Sequence, residues 1–465
     1  MKKAFVRLMG LSIHNIKNVK NGSIQFNKLK QVDTMAKENS IMGIYGQNGS
    51  GKTAVVDTMA VLQSFLMGET LTNNFYKYIK YGEKEAILKY QFYIDTGEKK
   101  YDIEYSFSIR LLEEKRFLLS NERLYGASYE NGKWGKKRCI LEYNIDEENT
   151  LFKPNYRDSE LRLNIDNFVQ AKVAQQFTQG YDEVKKESFV GSLFFSKRMR
   201  GVFQSVESFK DIDEIIQILI QYANQDLIVI QNEHFGFIDM NIPQIVFQVN
   251  MEEEDEQVVG LLPINVEGKH TLTMELFREF NKIVEQTNRV INALVPEVML
   301  QISNVENKYT KDGMEGMSFE LVTMRGESIV PFECESAGIK KLISICTALI
   351  ACYNRPSVCL VIDEFDSGIF EYLLGQLLEI MQEYAQGQLI FTSHNLRALE
   401  VLNNDSLIFT TIDPEARYRN LKYIKNTQNK RLSYLRAVYL GGQDAEFYER
   451  TSQAKIKRAF KKAWR

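Results

Sequence analysis

Apolar positions crowd into the first and last thirds of the chain and thin out between them. Alternation over Leu8–Ile13 and Ser23–Phe26 predicts two strands, and the unbroken run Ile41-Met42-Gly43-Ile44-Tyr45 predicts a third. Ala54–Leu62 repeats its apolar positions at helical spacing. From about Ala86 to Asn144 the period falls to two. Ile87–Ile94, Tyr101–Ile109 and Phe117–Leu119 read as strands of an antiparallel sheet, with Asp95-Thr96-Gly97 as a turn. Between about Ile145 and Pro296 the signal weakens to helical stretches at Ile212–Ala223 and Leu272–Leu294, and the acidic run Glu252–Glu256 reads as a solvated loop. From Met299 the pattern sharpens again. Strands at Met299–Ile302, Ser318–Val322 and Ile329–Phe332 precede a helix at Gly338–Cys352. A strand at Val358–Ile362, a helix at Ile369–Tyr384 and a strand at Leu389–Thr392 then alternate as parallel α/β architecture does. No heptads are sustained, so coiled-coil arms are not expected.

The third strand runs into Gly46-Gln47-Asn48-Gly49-Ser50-Gly51-Lys52-Thr53, which fits the phosphate-binding pattern G-x-x-x-x-G-K-[ST], and the predicted helix follows at once. Glycines let the backbone curl so that successive N–H groups face one phosphate chain, and the new helix turns its positive end toward the same anion. In that reading Lys52 reaches the β- and γ-phosphates of a nucleotide and the Thr53 hydroxyl holds Mg²⁺.

A second segment, Ser357-Val358-Cys359-Leu360-Val361-Ile362-Asp363-Glu364, is an apolar strand ending abruptly in two carboxylates, where α/β sheets place their ligands. Asp363 suits a Mg²⁺ ligand, and Glu364 suits a base for an attacking water. Glu335-Ser336-Ala337-Gly338-Ile339-Lys340 stands directly before a helix. Ser336 is a natural N-cap there, and the same loop would grip a second anion. Phe365-Asp366-Ser367-Gly368 is a contact loop or a plain turn. His394 ends the strand Leu389–Ser393, beside the one bearing Asp363, within reach of a γ-phosphate; a lone histidine also has a purely structural reading.

In chain order, Gly46–Thr53, Glu335–Lys340, Asp363–Gly368 and His394 resemble the Walker A, signature, Walker B with D-loop, and switch histidine of the ATP-binding-cassette superfamily. Leu11-Ser12-Ile13-His14-Asn15-Ile16-Lys17-Asn18 is similar to the opening of its SMC, RecF and OLD branch. About 280 residues separate Lys52 from Ser336, which implies inserted structure rather than a loop. The resemblance covers about residues 5–125 and 299–412. It implies an α/β P-loop NTPase of ABC ATPase type, with a mostly parallel core sheet, an antiparallel β subdomain and a mainly helical insertion. The expected divisions are an N-terminal lobe at 1–144, the insertion at 145–296, a C-terminal lobe at 297–425 and a helical basic tail at 426–465. It further implies a composite site with ATP and Mg²⁺ as cofactors. One copy supplies Gly46–Thr53, Asp363, Glu364 and His394, and the partner copy supplies Ser336 and Gly338, so that ATP joins two copies head to tail. The Q-loop glutamine has only Gln91 and Gln204 as candidates.

Composition adds limits rather than a function. The 465 residues are 44% hydrophobic and 26% charged with a net charge of −3, so attraction to nucleic acid or acidic membranes must come from local patches. Such patches occur at Lys136-Lys137-Arg138, at Lys197-Arg198-Met199-Arg200 and in the tail, where Lys455, Lys457, Arg458, Lys461, Lys462 and Arg465 flank Ile456, Phe460 and Trp464. The tail reads as a basic amphipathic helix that grips DNA, docks on a partner, or packs by its stripe. The cysteines Cys139, Cys334, Cys346, Cys352 and Cys359 are odd in number, lack a C-x-x-C pair and mostly lie in apolar stretches, which predicts buried thiols in a reducing compartment. Arg7 interrupts the apolar start, and no run reaches about eighteen apolar residues, so neither a signal peptide nor a membrane span is expected and the cytoplasm is the default. About 70 residues follow His394, too few for a Toprim nuclease of the OLD kind, so no nuclease domain is expected here. The pattern is similar to stand-alone ATPases of anti-phage systems such as PARIS and Septu, which act through a separate effector. The alternatives are a RecF-type DNA-repair ATPase and a scaffold whose bound ATP is structural.

Overall fold

The computed structural model describes residues 4–27, 40–71, 73–112, 116–146, 152–153, 190–205, 207–231, 244–253, 256–265, 267–420, 430–440 and 452–463. The chain opens with a hairpin, β1 (Phe5–Ile16) and β2 (Val19–Gln25), and β3 (Ser40–Tyr45) then leads into α1 (Lys52–Leu66). β4 (Glu85–Asp95), β5 (Lys100–Leu111), β6 (Phe117–Glu130), β7 (Lys133–Trp134), β8 (Arg138–Asn144) and β9 (Phe152–Lys153) follow. The described middle of the chain holds α2 (Lys197–Ser205), α3 (Lys210–Gln225), β10 (Leu227–Ile230), β11 (Gln244–Glu253), β12 (Glu256–Asn265), β13 (His270–Thr273) and α4 (Met274–Leu294). After it come β14 (Val298–Tyr309), β15 (Glu315–Arg325), β16 (Ser328–Pro331), α5 (Ala337–Asn354), β17 (Cys359–Ile362) and α6 (Glu371–Tyr384). The last described elements are β18 (Gln388–Ser393), α7 (Arg397–Val401), β19 (Leu407–Thr410), β20 (Tyr418–Arg419), α8 (Lys430–Leu440) and α9 (Gln453–Ala463).

Hydrogen bonding sorts these strands into sheets of different character. The core sheet runs β10-β17-β18-β3-β19-β20 and is parallel except at β20. It draws β3 from the first 144 residues, β10 from the middle and the other strands from the last third. A large antiparallel sheet runs β2-β1-β4-β5-β6-β8-β9, and a smaller one places β15 between β13 and β14, with β16 also on β15. The fold is α/β, with the P-loop strand central and the antiparallel sheet beside it.

The core strands are buried on both faces, as parallel sheets require. Cys359, Val361 and Ile390 face one cluster, and Leu360, Ile362, Leu389 and Phe391 face the other, as period-two geometry dictates. The first cluster is built on α1, which lies between the core sheet and the antiparallel sheet. Val55, Met59, Leu62 and Phe65 are fully buried there, and Phe65 stacks on Phe107 of β5 at 4.1 Å. The second cluster packs α4, α5 and α6 under the smaller sheet. A side chain joins the two sheets where β1 shifts register: Gln388 donates to Leu8 O at 2.8 Å and accepts from Leu8 N at 2.9 Å.

Four expectations need correction. The acidic run is not a free loop: Glu252 and Glu253 end β11, and Glu256 begins β12, paired with Glu253. Cys139 and Cys334 are exposed, because each lies in a partly solvated strand or turn, while Cys346, Cys352 and Cys359 are buried. Gln91 sits in the antiparallel sheet, donating to Asp102, and Gln204 is an exposed residue of α2, so neither can be the Q-loop glutamine. Every described residue of α9 is exposed, Ile456 and Phe460 among them, so its stripe does not pack within the described chain. Trp464 and Arg465 lie outside the described residues. Among the described residues no helix is long and apolar enough to cross a membrane.

Candidate functional site

The Gly46–Gly51 turn leaves β3 at its C-terminal end and closes on α1. Gly46, Gly49 and Gly51 have φ of +154°, +73° and +97°. Gly49 faces open space, so its requirement is conformational. A Cβ on Gly46 would stand 1.7 Å from Thr410 Oγ1. That hydroxyl, at the end of β19, meets Tyr45 O at 3.2 Å and Ser50 Oγ at 2.5 Å. Tyr418 of β20 donates to Gly51 O at 2.8 Å, so the C-terminal strand pair clamps the loop. Lys52 is buried and donates to Gly46 O at 2.9 Å and Gln47 O at 3.1 Å. Burial lowers its ammonium below the usual lysine range, against the pull of Asp363, Glu364 and Asp366.

Parallel pairing of β3, β18 and β17 carries the distant carboxylates to the same edge. Thr53 Oγ1 lies 3.5 Å from Asp363 Oδ1, although 310 positions separate them. Thr392, at the end of β18, donates to Asp363 Oδ1 at 2.5 Å and accepts the Glu364 N–H at 2.7 Å. Glu364 has φ +47°, a left-handed conformation rare for this residue type. Lys341 of α5, 5% exposed, holds the next turn by donating to Glu364 O at 2.6 Å and Ser367 O at 2.9 Å. Burial pushes its ammonium down to about 8, with Asp366, Glu364 and Asp363 pulling the other way. Asp366 accepts the His394 N–H at 3.1 Å, and burial together with the charge of Lys52 holds the His394 imidazole below its ordinary value.

Ser336 caps α5 as expected, its hydroxyl accepting from Ile339 N at 3.3 Å. Glu335 supports this turn. Burial opposes its charge, but Arg325 at 2.7 Å, Thr323 at 2.6 Å and the Ser336 N–H keep the carboxyl below its ordinary range. Gly338 touches Gly368, and a Cβ on Gly338 would fall 2.1 Å from Gly368 O. Among the described residues, Ser336 thus contacts the first turn of its own helix and Gly338 the loop after Glu364, while Gly46–Thr53, Asp363, Glu364 and His394 gather at one sheet edge.

Several residues of this edge carry little sequence signal. Gln231 directly follows β10, next to the strand that ends in Asp363, and Asp363 N donates to Ile230 O at 2.9 Å. It therefore stands beside Asp363 at the C-terminal edge of the core sheet. The clue was the apolar run Leu227–Ile230 closing on a polar residue. Lys341 was visible as a lysine amid the apolar positions of α5, whereas Thr392 looks like any strand residue.

The chain matches, over residues 41–400, the family model described as "AAA domain, putative AbiEii toxin, Type IV TA system". No curated protein matches it. Solved structures similar to it include an Smc head bound to the C-winged helix domain of ScpA, at 14% identity and TM-score 0.43 over 90% of this chain and 98% of that one. The SMC head domain of Thermotoga maritima gives 14% identity and TM-score 0.35 over 90% and 99%, and the recombination mediator RecF gives 11% and 0.37 over 90% and 98%. Because the family match spans well over half of the 465 residues, the chain belongs to this AAA-domain family.

Proposed function

We propose that this protein binds and hydrolyses MgATP, and that ATP-bridged association of two copies controls a separate partner. The observation that carries the reading is the convergence of Thr53, Asp363 and Glu364 at the mouth of a glycine loop whose lysine is buried beside them. The donor set fits the cofactors: a hydroxyl and a carboxylate 3.5 Å apart are hard oxygens of the kind Mg²⁺ takes, with phosphate and water completing its shell. Mg²⁺ bound there would neutralise phosphate charge. Lys52 would exchange its loop carbonyls for the β- and γ-phosphates. Glu364, fixed by Lys341 and Thr392, would orient the attacking water and take its proton. His394 would face the γ-phosphate as a neutral donor. Ser336 and Gly338 would close over that phosphate from a second copy, so hydrolysis would remove the charge-assisted bonds that join the copies.

The family description names a toxin–antitoxin system, which accords with a chain that works through a second component, such as a nuclease or toxin effector in anti-phage defence. A DNA-directed ATPase is the second reading. It is favoured by α9, whose Lys455, Lys457, Arg458, Lys461 and Lys462 are all exposed. The patch near Lys137 is less available, since Lys137 is engaged by Asp102 at 3.0 Å and Glu104 at 3.6 Å. A DNA affinity that falls steeply with salt would favour that reading. A chain that binds ATP and releases no phosphate would be a scaffold.

Light scattering with MgATP, run beside phosphate release, tests the proposal. Glu364→Gln should abolish turnover and accumulate an ATP-bound dimer or larger assembly, and Lys52→Ala should lose nucleotide binding. Unchanged turnover and no added association in Glu364→Gln would refute the assignment.

A further inference from the structure

α1 carries a second polar side chain on the face that bears Thr53. Asp57 lies four residues on, about one helical turn deeper, and is 4% exposed. Two partners from different elements converge on it. Lys17, in the β1–β2 turn, places its ammonium on Oδ2, and Gln231, at the end of β10, donates Nε2 to Oδ1 at 2.9 Å. Lys17 is itself fixed: its φ is +51°, its N–H meets Tyr78 O at 2.6 Å, and its ammonium stands 4.8 Å from the centre of the Tyr78 ring. The other end of β10 is also tied to α1, since Gln63 donates to Leu227 O at 2.7 Å and Ala223 O at 3.1 Å. The place of Gln231 therefore follows from α1 at both ends of its strand.

A glutamine amide has two ends of nearly the same shape, and its partners decide which end points where. An ionised carboxylate accepts and cannot donate. Asp57 therefore takes the NH₂ end and turns the oxygen end away from itself. Burying a carboxylate against a partly exposed lysine to brace a strand end has no general advantage over apolar packing, so stability alone is a poor reason for Lys17 and Asp57 to meet here.

We propose that Asp57, neutralised by Lys17, is a positioning residue for the reaction. It fixes the Gln231 amide with its oxygen, the end that a cation or a water hydrogen can use, presented at the sheet edge that holds Asp363. This rests on the ATPase reading and deepens it. It also makes the first turn of the antiparallel sheet, through Lys17, part of the phosphate site.

The test is a double-mutant cycle of Asp57→Asn and Gln231→Ala, with Asn nearly isosteric to Asp. It reads phosphate release and the affinity of a fluorescent ATP analogue with and without Mg²⁺. Each single variant should lower kcat about tenfold with KM within about twofold. The double variant should be no slower than Gln231→Ala alone. The gain in analogue affinity on adding Mg²⁺ should shrink alike in all three. Multiplied losses, or an Asp57→Asn variant with wild-type kcat and wild-type Mg²⁺ gain, overturn the proposal. Should Asp57→Asn fail to fold, the cycle of Lys17→Gln with Gln231→Ala replaces it, and multiplied losses overturn it in the same way. A wild-type protein that binds the analogue without releasing phosphate would sink the hydrolysis reading, while the Mg²⁺ comparison would still judge Asp57.

Discussion

Replacing Lys341 with Met separates what this lysine does for the fold from what it does for the site. Its ammonium makes two hydrogen bonds to carbonyls, each worth about 1.5–3 kcal/mol for a charged donor. Against this stands its desolvation: burial pushes the group down from 10.5 to about 8, which disfavours the charged form by about 3 kcal/mol. The two effects nearly offset, so Lys341→Met should change unfolding free energy by no more than about 2 kcal/mol. The loop after Asp363 has no such compensation. Glu364 is held at φ +47°, a conformation that costs about 1–3 kcal/mol and persists only while its surroundings enforce it. Freed from Lys341, the loop can relax by that amount, which removes the working geometry from most molecules and lowers kcat roughly 5- to 150-fold. Urea unfolding and steady-state phosphate release measure the two quantities side by side, and nucleotide affinity should hold because Gly46–Thr53 is untouched. A kcat within about twofold of wild type would show that Lys341 does not hold the catalytic loop.

Gly338→Ala would drive a Cβ to 2.1 Å from Gly368 O, forcing α5 and the loop apart by roughly 1 Å at a cost of about 1–3 kcal/mol. ATP-dependent association in light scattering should fall with analogue affinity unchanged; wild-type association would place the joint elsewhere. Glu122 gives a pH signature. It is fully buried and receives Tyr105 OH at 2.6 Å, Leu193 N at 2.8 Å and the Ser192 hydroxyl, yet burial raises it from 4.5 to about 7. A folded value above the unfolded one means stability that is whole below pH 4.5 and is lost as pH rises through about 7. Between pH 5 and pH 8 the wild type should therefore lose about 2 to 2.5 kcal/mol relative to Glu122→Gln in urea unfolding, and parallel pH curves would contradict this.

Contiguous chemistry was the part of the site that the sequence made readable. Gly46–Thr53 and Ile362–Glu364 are runs whose neighbours in sequence are also their neighbours in space, and the apolar strands around them announce an α/β sheet. Gln231, Thr392 and Lys341 meet the site only because β10, β18 and α5 lie beside β17; a polar residue closing an apolar run and a lysine amid apolar positions mark Gln231 and Lys341 faintly, and nothing around Thr392 marks it. Gln91 and Gln204 show the same limit from the other side, since a glutamine in a polar stretch says nothing about which strand ends near a phosphate. The run Glu252–Glu256 misled because charge was read as solvation, whereas its described ends belong to β11 and β12, which pair through the backbone. Cys139 and Cys334 misled because local apolarity is a poor guide to burial near strand ends.

These links bear on how a phosphate could be felt at a distance. Gly338 and Lys341 fasten α5 to the turn Glu364–Gly368, and Asp366 in that turn holds the backbone of His394. Three residues beyond His394, Arg397 begins α7 and pairs with Glu400 at 2.5 Å, and Glu400 also meets Arg431 of α8 at 3.2 Å. α8 in turn stacks Tyr434 on Phe409 of β19, at 4.9 Å, one residue before the Thr410 that closes the glycine loop. The chain of contacts thus leaves the glycine-loop edge through the turn Glu364–Gly368 and returns to it through α8. The joints are a close glycine contact, side-chain hydrogen bonds to the backbone, ion pairs and a packed ring. On the ATPase reading, loss of the γ-phosphate would be felt along these contacts at the turn bearing Ser336 and at α8.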